Sequence, residues 1–572
     1  MCYTYPTSFF KKSFPFSDDE KEAGDSASSS SSALAEPACT QLLNHRHAIY
    51  HHITKDEVSS TQETNGKVQQ LQLTFKKPPE DYFFMSWNWP LIRKVSLWVF
   101  LSGLIAMMAL VIAMVSSLPK TCNPPTQWYQ GSVIYEIFPA SFADTNDDGI
   151  GDLRGISLRA DYLSSLGVKA VRLNSIFASE HYPEHYENVT SLTQLAKELG
   201  TLNDFKILVD ALQLRNISVL LDLPVWPNVE KLKDDVVEVH QFNEIEYNSP
   251  SVEFLKSASL TVESQHDEIT QALYFWLEHK VDGFYLKGLE HHVDDVHFVS
   301  SIRRWKKVLG PDRPLIASHD VIDNCPKEIL NTILANVDLI DVQLNIEDGT
   351  EDFAKQIESF LNGTLFSKPS MPWIHWNLGS VDTPRLANRL PHSNATLGVT
   401  LLQLMLPGTA SIFYGDEIGL KQILDPHDDV KDVSHLHHLG AMVWEHPKIQ
   451  FTRKEILPWM HGLPTHSNFD QLELISKMVA LRSKSPSIYV NTVTKDGVTK
   501  ANAEVKKVPE NDLVIVQRWY PRRKNFVVIS NLGAVHRKAD LSKSLYSGEV
   551  VVGPRANSRP ESVSFKSISL WP

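Results

Sequence analysis

The stretch GSVIYEIFPASFADTNDDGIGDLRGISLRADYLSSLGVKAV, residues 131–171, runs from one short apolar segment to a second through a longer amphipathic one. Val133–Ile137 and Ala170–Leu173 are short apolar runs of strand length, and the segment between them has helical spacing. Outward from this unit the alternation continues from Trp128 onward. Further strands are expected at Val219–Leu223, Gly283–Leu286, Pro314–Ala317, Leu339–Gln343, Pro372–Trp376 and Ala410–Tyr414. Repeated βα units require a parallel sheet, and eight strands predict a closed (β/α)8 TIM barrel of the α/β class over residues 128–487. Beyond a helical stretch at Phe469–Lys484 the period shifts to alternation, as in Asp512–Gln517 and Asn525–Ser530. A C-terminal antiparallel β-sandwich is therefore expected over 488–572.

Toward the N-terminus, Val95–Val115 reads VSLWVFLSGLIAMMALVIAMV, an uncharged run that as a helix spans about 30 Å of hydrocarbon. It predicts a transmembrane helix over 95–117. The long polar stretch ahead of it does not suit a signal peptide. Arg93 and Lys94 flank it on the N-terminal side, against Lys120 alone beyond it, so the N-terminus is expected to be cytoplasmic and the C-terminal part extracellular. Trp87, Trp89 and Trp98 stand where aromatic rings settle at a membrane interface. Ser102, Ala106, Ala109 and Ala113 share one helix face, a pattern that suits either close approach of another helix or ordinary membrane-helix composition.

Residues 1–94, with the serine run Ser28–Ser32 and no sustained hydrophobic period, are expected to form a largely disordered cytoplasmic tail. The linker 118–127, LPKTCNPPTQ, contains Pro124 and Pro125 and reaches at most about 35 Å. With 55 basic and 68 acidic residues and a net charge of −13, the chain offers no basic surface for nucleic acid. A single span without an intramembrane charge cannot itself enclose a route for polar solutes.

Four cysteines divide by this topology. Cys2 and Cys39 face a reducing cytosol, whereas Cys122 and Cys325 face an oxidising exterior. Cys122, seven residues past the span, is placed to reach a thiol of a neighbouring membrane protein; a bridge to Cys325 or a free thiol are the alternatives. Asp144, Asn146, Asp148, Ile150 and Asp152 lie in D-x-N-x-D-G-x-G-D, where hard oxygens alternate around a glycine turn. That pattern suits a calcium loop or a hydrogen-bonded turn without metal. Sequons at Asn188, Asn216, Asn362 and Asn394 all lie beyond the span. No convincing metal-ligand spacing surrounds His291 and His292, and Pro183 argues against a shared helix face for His181 and His185.

The segments 131–156, DYLSSLGVKAV (161–171), VDGFYL (281–286) and LPGTASIFYGDEIGL (406–420) resemble the α-amylase family over nearly all of residues 128–572. A retaining glycosidase needs a carboxylate nucleophile and a carboxyl acid about 5 Å apart. The resemblance places the nucleophile at the end of strand four in a Gly-Phe-Arg-x-Asp pattern. Here the stretch is Gly283, Phe284, Tyr285, Leu286, Lys287, with an ammonium for the nucleophile and a phenol for the arginine. The general acid aligns with Ser318 or His319. Asp222 and Asp382 persist, but the neighbouring sugar-binding positions read Trp226, Pro227 and Ser380, Val381. The implication is a non-catalytic barrel, with Lys287 paired to Asp222 or Asp382 or, alternatively, carrying Schiff-base chemistry.

Tail, span, external cysteine and degenerate barrel together resemble the heavy subunits of heteromeric amino-acid transporters. The short segment between Pro227 and VDGFYL favours the 4F2 antigen heavy chain type over the related rBAT type. What this implies is an ancillary plasma-membrane subunit, disulfide-linked through Cys122 to a multi-spanning light-chain exchanger, with no cofactor required and the 144–152 loop a candidate for a structural calcium. A cell-surface adhesion or receptor glycoprotein, or a hydrolase with relocated catalytic groups, are the rival readings.

Overall fold

The computed structural model describes residues 86–117, 123–226, 266–392, 394–423, 436–445, 468–507, 512–539, 548–553, 562–563 and 568–570. Residues 1–85 of the tail expected over 1–94, Cys122 and Pro227 lie outside them, and the last residues of that expected tail, 89–94, are helical. The described chain divides into two units, one ending at Cys122 and one starting at Asn123.

The first unit is a single helix, Trp89–Ser117, of which Trp89–Met114 is long and apolar enough to cross a membrane, with a mean hydropathy of 2.5. The helix starts earlier than the apolar run because the Asn88 side chain accepts the Leu91 amide and Pro90 suits the first turn. Arg93 and Lys94 therefore ride on the helix itself.

In the second unit eight strands close in the order β1-β10-β9-β8-β7-β6-β5-β2, every neighbouring pair parallel. The barrel strands are β1 (Val133–Ile137), β2 (Ala170–Leu173), β5 (Ser218–Pro224), β6 (Gly283–Lys287), β7 (Leu315–Ser318), β8 (Leu339–Gln343), β9 (Trp373–Asn377) and β10 (Thr409–Phe413). Each falls within a residue or two of its expected place, because strands covered on both sides read as continuous apolar runs. Between β2 and β5 the chain makes a hairpin, β3 (Phe177–Ser179) with β4 (Val189–Leu195), that the sequence did not suggest.

The barrel lumen is layered. Ile134, Ala170, Leu220, Tyr285, Ile316, Leu339 and Trp373 pack together with Tyr129 as an apolar plug, separate from the larger core between strands and helices. Gly283 is small of necessity, since a Cβ there would stand 2.8 Å from Leu220 Cδ2 and from the Pro314 ring.

C-terminal to the helix Phe469–Lys484 the sheets are antiparallel: β11–β12 (Thr492–Lys495, Val498–Ala501), the three-stranded β13-β14-β15 (Ala503–Lys507, Leu513–Arg518, Phe526–Asn531), and two short pairs, Arg537–Ala539 with Ile568–Leu570 and Gly548–Glu549 with Ser562–Val563. One fully buried arginine, Arg518 of β14, binds them to the barrel, and another, Arg482, binds the helix Phe469–Lys484 there. Arg518 donates to the carbonyls of Met405 at 2.6 Å and Val490 at 2.9 Å, and Arg482 to those of Leu404 at 2.6 Å and Leu406 at 2.8 Å. These guanidinium groups satisfy carbonyls at the end of the helix Asn394–Met405 and in the turn after it, acceptors that a buried helix terminus would otherwise leave unpaired.

Candidate functional site

Side chains in a strand alternate, so the residue two positions beyond each lumen-facing apolar side chain faces the lumen again, one layer nearer the strand ends. Two of those seven positions hold Lys287 and Ser318, and the other five hold Glu136, Arg172, Asp222, Asp341 and His375. All five are buried. Arg172 is their hub: its Nη2 lies 3.0 Å from Asp222 Oδ2, and its Nη1 lies 3.3 Å from Glu136 Oε2 and 3.7 Å from Asp341 Oδ2. Its guanidinium lies over the Tyr285 ring, 3.7 Å from the centroid. Asn174 donates to Glu136 at 2.8 Å, and His375 Nδ1 lies 2.8 Å from Asp341 Oδ1.

Burial pushes the Glu136 carboxyl up to about 7 despite Arg172, and burial likewise raises Asp222. For Asp341, burial acts upward too, but His375 and Arg172 outweigh it and hold the carboxyl below its ordinary range.

Above this layer opens a cleft of about 230 Å3 whose lining includes Tyr186, Asp222, Trp226, Lys287, His291 and Asp382. Lys287, the last residue of β6, donates to Asp382 Oδ1 at 2.7 Å, with the two side chains 29% and 50% exposed. Burial draws the ammonium down, yet Asp382 and Asp222 together outweigh it and hold the group above the ordinary lysine value. A protonated lysine is the opposite of what Schiff-base chemistry requires. The next residue, Gly288, has φ +83°, and a Cβ on it would lie 2.6 Å from Trp226 Cβ. Trp226 in turn stacks on His291 at 4.9 Å.

The structure thus brings Asp222, Tyr285, Lys287 and Asp382 together and leaves the strand-five candidates outside. Ser318 Oγ donates to Asp320 at 2.7 Å, His319 Nδ1 lies 3.0 Å from Asp323, and neither residue lines the cleft. Ser380 is buried and Val381 lines the cleft.

In the 144–152 loop, Asp144 accepts the amides of Asn146, Asp147 and Gly149, and Asp148 accepts the Ile150 amide and the Asn146 Nδ2. Asp152 accepts the Thr145 amide and hydroxyl and, through its other oxygen, the Gly155 amide at the start of the helix Leu153–Leu158. The donor types suit calcium, with the Ile150 carbonyl among them. The loop nevertheless closes on its own hydrogen bonds, and none of its side-chain oxygens stands among the buried atoms left without a partner.

Asn188, Asn216 and Asn362 are exposed, and Asn394 starts the helix Asn394–Met405. Cys325 is a free thiol, pushed up by burial and Glu328. His181 and His185 sit in a turn, the His185 amide donating to the His181 carbonyl at 2.8 Å.

Two groupings were not foreseen. The Arg172 cluster has a legible signal: a lone ionisable residue recurs inside the apolar strands VIYEI, AVRL, VLLDL, LIDVQ and WIHWN. The second corrects the expectation that no metal-ligand arrangement surrounds His292, for His266, His292 and Asp295 bring their ligating atoms within 4.8 Å of one another. Their spacing along the chain is irregular because three different segments supply them.

A closed parallel barrel with a cleft at its strand ends, followed by antiparallel sheets, is an α-amylase-type architecture. The family model for the α-amylase catalytic domain matches residues 136–228. The amino acid transporter heavy chain SLC3A1 of Homo sapiens is 21% identical over 520 residues, covering 76% of this chain and 72% of that protein. The oligo-1,6-glucosidase of Bacillus cereus is 24% identical over 411 residues, covering 56% of this chain and 71% of the enzyme. Among solved structures, the trehalulose synthase MutB of Pseudomonas mesoacidophila superposes with a TM-score of 0.57 at 15% identity, covering 78% of this chain and 98% of that one. The chain is therefore an amylase-like protein related both to glycosidases and to a transporter heavy chain.

Proposed function

We propose that the chain is the non-catalytic heavy subunit of a heteromeric amino-acid transporter, of the 4F2 antigen heavy chain type. In this reading it traffics and stabilises a multi-spanning light-chain exchanger at the plasma membrane. The observation that carries the reading is the Lys287–Asp382 ion pair at the end of the fourth barrel strand, 2.7 Å long. It fills with an ammonium the place where a retaining glycosidase needs a free carboxylate. The similarity to SLC3A1 supports the same conclusion over most of the chain. The helix Trp89–Ser117 is the single span, with Arg93 and Lys94 on the cytoplasmic side. Cys122 forms the disulfide to the light subunit, and Cys325 stays a free thiol. Asn188, Asn216, Asn362 and Asn394 carry glycans outside the cell.

Calcium is not required in this reading. Asp144, Asn146, Asp148, Asp152 and the Ile150 carbonyl would hold the ion, at the expense of bonds the loop already makes. Thermal melts of the full chain in millimolar calcium and in chelator should differ by no more than a few degrees; unfolding on chelation would make calcium structural.

Two measurements test the proposal. Membranes solubilised without reductant should yield a species larger than this chain that collapses on reduction, is lost in Cys122→Ser and contains a multi-spanning amino-acid exchanger. The purified full chain should not turn over α-glucosides. Turnover abolished by Asp222→Asn, or a partner of another class, would overturn it.

A further inference from the structure

His266 and His292 are 1% and 2% exposed, and Asp295, 26% exposed, is the side of the cluster nearest solvent. The three come from separate segments: the start of the helix over 266–278, the turn Leu289–His292 that follows β6, and the loop before the helix Phe298–Leu309. His292 Nδ1 stands 2.9 Å from Asp295 Oδ2, and its Nε2 stands 3.1 Å from the Val225 carbonyl. Both ring nitrogens thus face oxygen acceptors, yet a neutral imidazole carries one N–H. If Nε2–H donates to Val225, a bare Nδ1 lone pair confronts a carboxylate oxygen, an arrangement that needs a cation.

His266 converges on the same point. Its Nε2 lies 3.7 Å from Asp295 Oδ2 and is buried without a hydrogen-bond partner among the described residues. Its Nδ1 meets Ser301 Oγ at 2.9 Å. Each histidine therefore has an oxygen partner on the nitrogen that points away from Asp295: the Val225 carbonyl can accept an N–H from His292 Nε2, and the Ser301 hydroxyl can accept one from His266 Nδ1, the tautomers that turn the other lone pair inward. That partner on the non-ligating nitrogen is the usual accompaniment of a metal-bound histidine. Tetrahedral donors at zinc bond lengths stand roughly 3.3–3.6 Å apart, within the 2.9 and 3.7 Å separations seen here.

We propose that His266 Nε2, His292 Nδ1 and Asp295 Oδ2 bind a divalent transition ion of the zinc class. Three protein ligands leave a fourth position for water, on the more exposed Asp295 side. Two imidazoles and one carboxylate select zinc over calcium or magnesium, which prefer all-oxygen sets. The ion ties the turn after the fourth barrel strand to the helix before it, next to His291 and Trp226 in the cleft wall, and so stiffens that wall.

The test uses the full chain in detergent, stripped with a chelator and titrated with zinc against a chromophoric competitor, then with cobalt(II). The expected result is one equivalent of zinc, visible d–d bands of a four-coordinate cobalt site, and X-ray absorption showing two imidazoles on the bound zinc. Asp295→Asn and His266→Asn should each weaken binding roughly 100-fold or more, and Ser301→Ala about tenfold. Should His266→Asn fail to fold, Asp295→Asn at the partly exposed edge of the cluster and the imidazole count on the unaltered chain decide the question. Absence of zinc uptake at micromolar metal, or equal occupancy in Asp295→Asn, would overturn the proposal and leave His292 as a hydrogen-bond partner of Asp295.

Discussion

At the scale of single residues, two cations near the cleft differ sharply in what they hold. Arg172 serves Glu136, Asp222 and Asp341 in a layer closed to water, so Arg172→Leu leaves buried carboxylates without a counter-ion and should cost about 3–5 kcal/mol. Lys287 and Asp382 are partly open to solvent, and Lys287→Ala should cost about 0–1 kcal/mol. The pH dependence separates them further. Glu136 already sits at about 7, above its unfolded value, so its ionisation opposes folding increasingly as pH rises through that range. Removing Arg172 strengthens this effect, and thermal melts should show a smaller deficit for Arg172→Leu at pH 5 than at pH 8. Equal deficits at both would mean the carboxylates are not what the arginine serves. Of these residues, Lys287, Tyr285, Asp222 and Asp382 could be picked out by their place in family motifs. Arg172 is marked only by the lone charge that recurs inside the apolar strands, and such a charge does not say which strands meet across a lumen.

At the scale of elements, all eight barrel strands were legible because burial on both faces forces uninterrupted apolar runs. The β3–β4 hairpin was not, since VTSLTQL sets its apolar residues at every third position rather than every second, and residues 180–188 make a longer connection than the short turns that mark a hairpin. The His266, His292 and Asp295 grouping was equally invisible, as tertiary packing alone unites it. Helix ends obey local rules more openly. The helix Leu202–Gln213 starts in a capping box, Thr201 with Asp204, to which Arg154 adds a 2.7 Å ion pair. The Thr201 hydroxyl first, and then Arg154, hold the Asp204 carboxyl down at about 2. A carboxylate depressed in this way adds stability that is complete above about pH 4 and is lost as pH falls toward 2. Asp204→Asn should therefore cost about 1 kcal/mol at neutral pH. The gap in unfolding midpoint between the two proteins should shrink once pH drops below 4, and a gap unchanged by acid would show that charge plays no part in the cap.

At the scale of the whole molecule, the helix Trp89–Ser117, long and apolar enough to cross a membrane, poses one topological choice, because a polypeptide crossing once there would place everything after it on one side. All four sequons lie after this helix, and Asn188, Asn216 and Asn362 are on the barrel surface, where a glycan displaces no packed side chain. Asn216 already occupies a left-handed turn at φ +57°, ahead of β5 and with its side chain outward. If Arg93 and Lys94 retain the N-terminus in the cytosol, the barrel enters the secretory lumen and these sites become substrates for glycosylation. Enzymatic deglycosylation of the cell-derived chain should then lower its apparent mass, and Asn188→Gln, Asn216→Gln and Asn362→Gln should each remove one step. A sequon engineered into residues 1–85 should stay unmodified. Modification of that tail sequon, with the barrel sites left bare, would reverse the orientation and put Cys122 in a reducing compartment, where a lasting disulfide to a partner could not form.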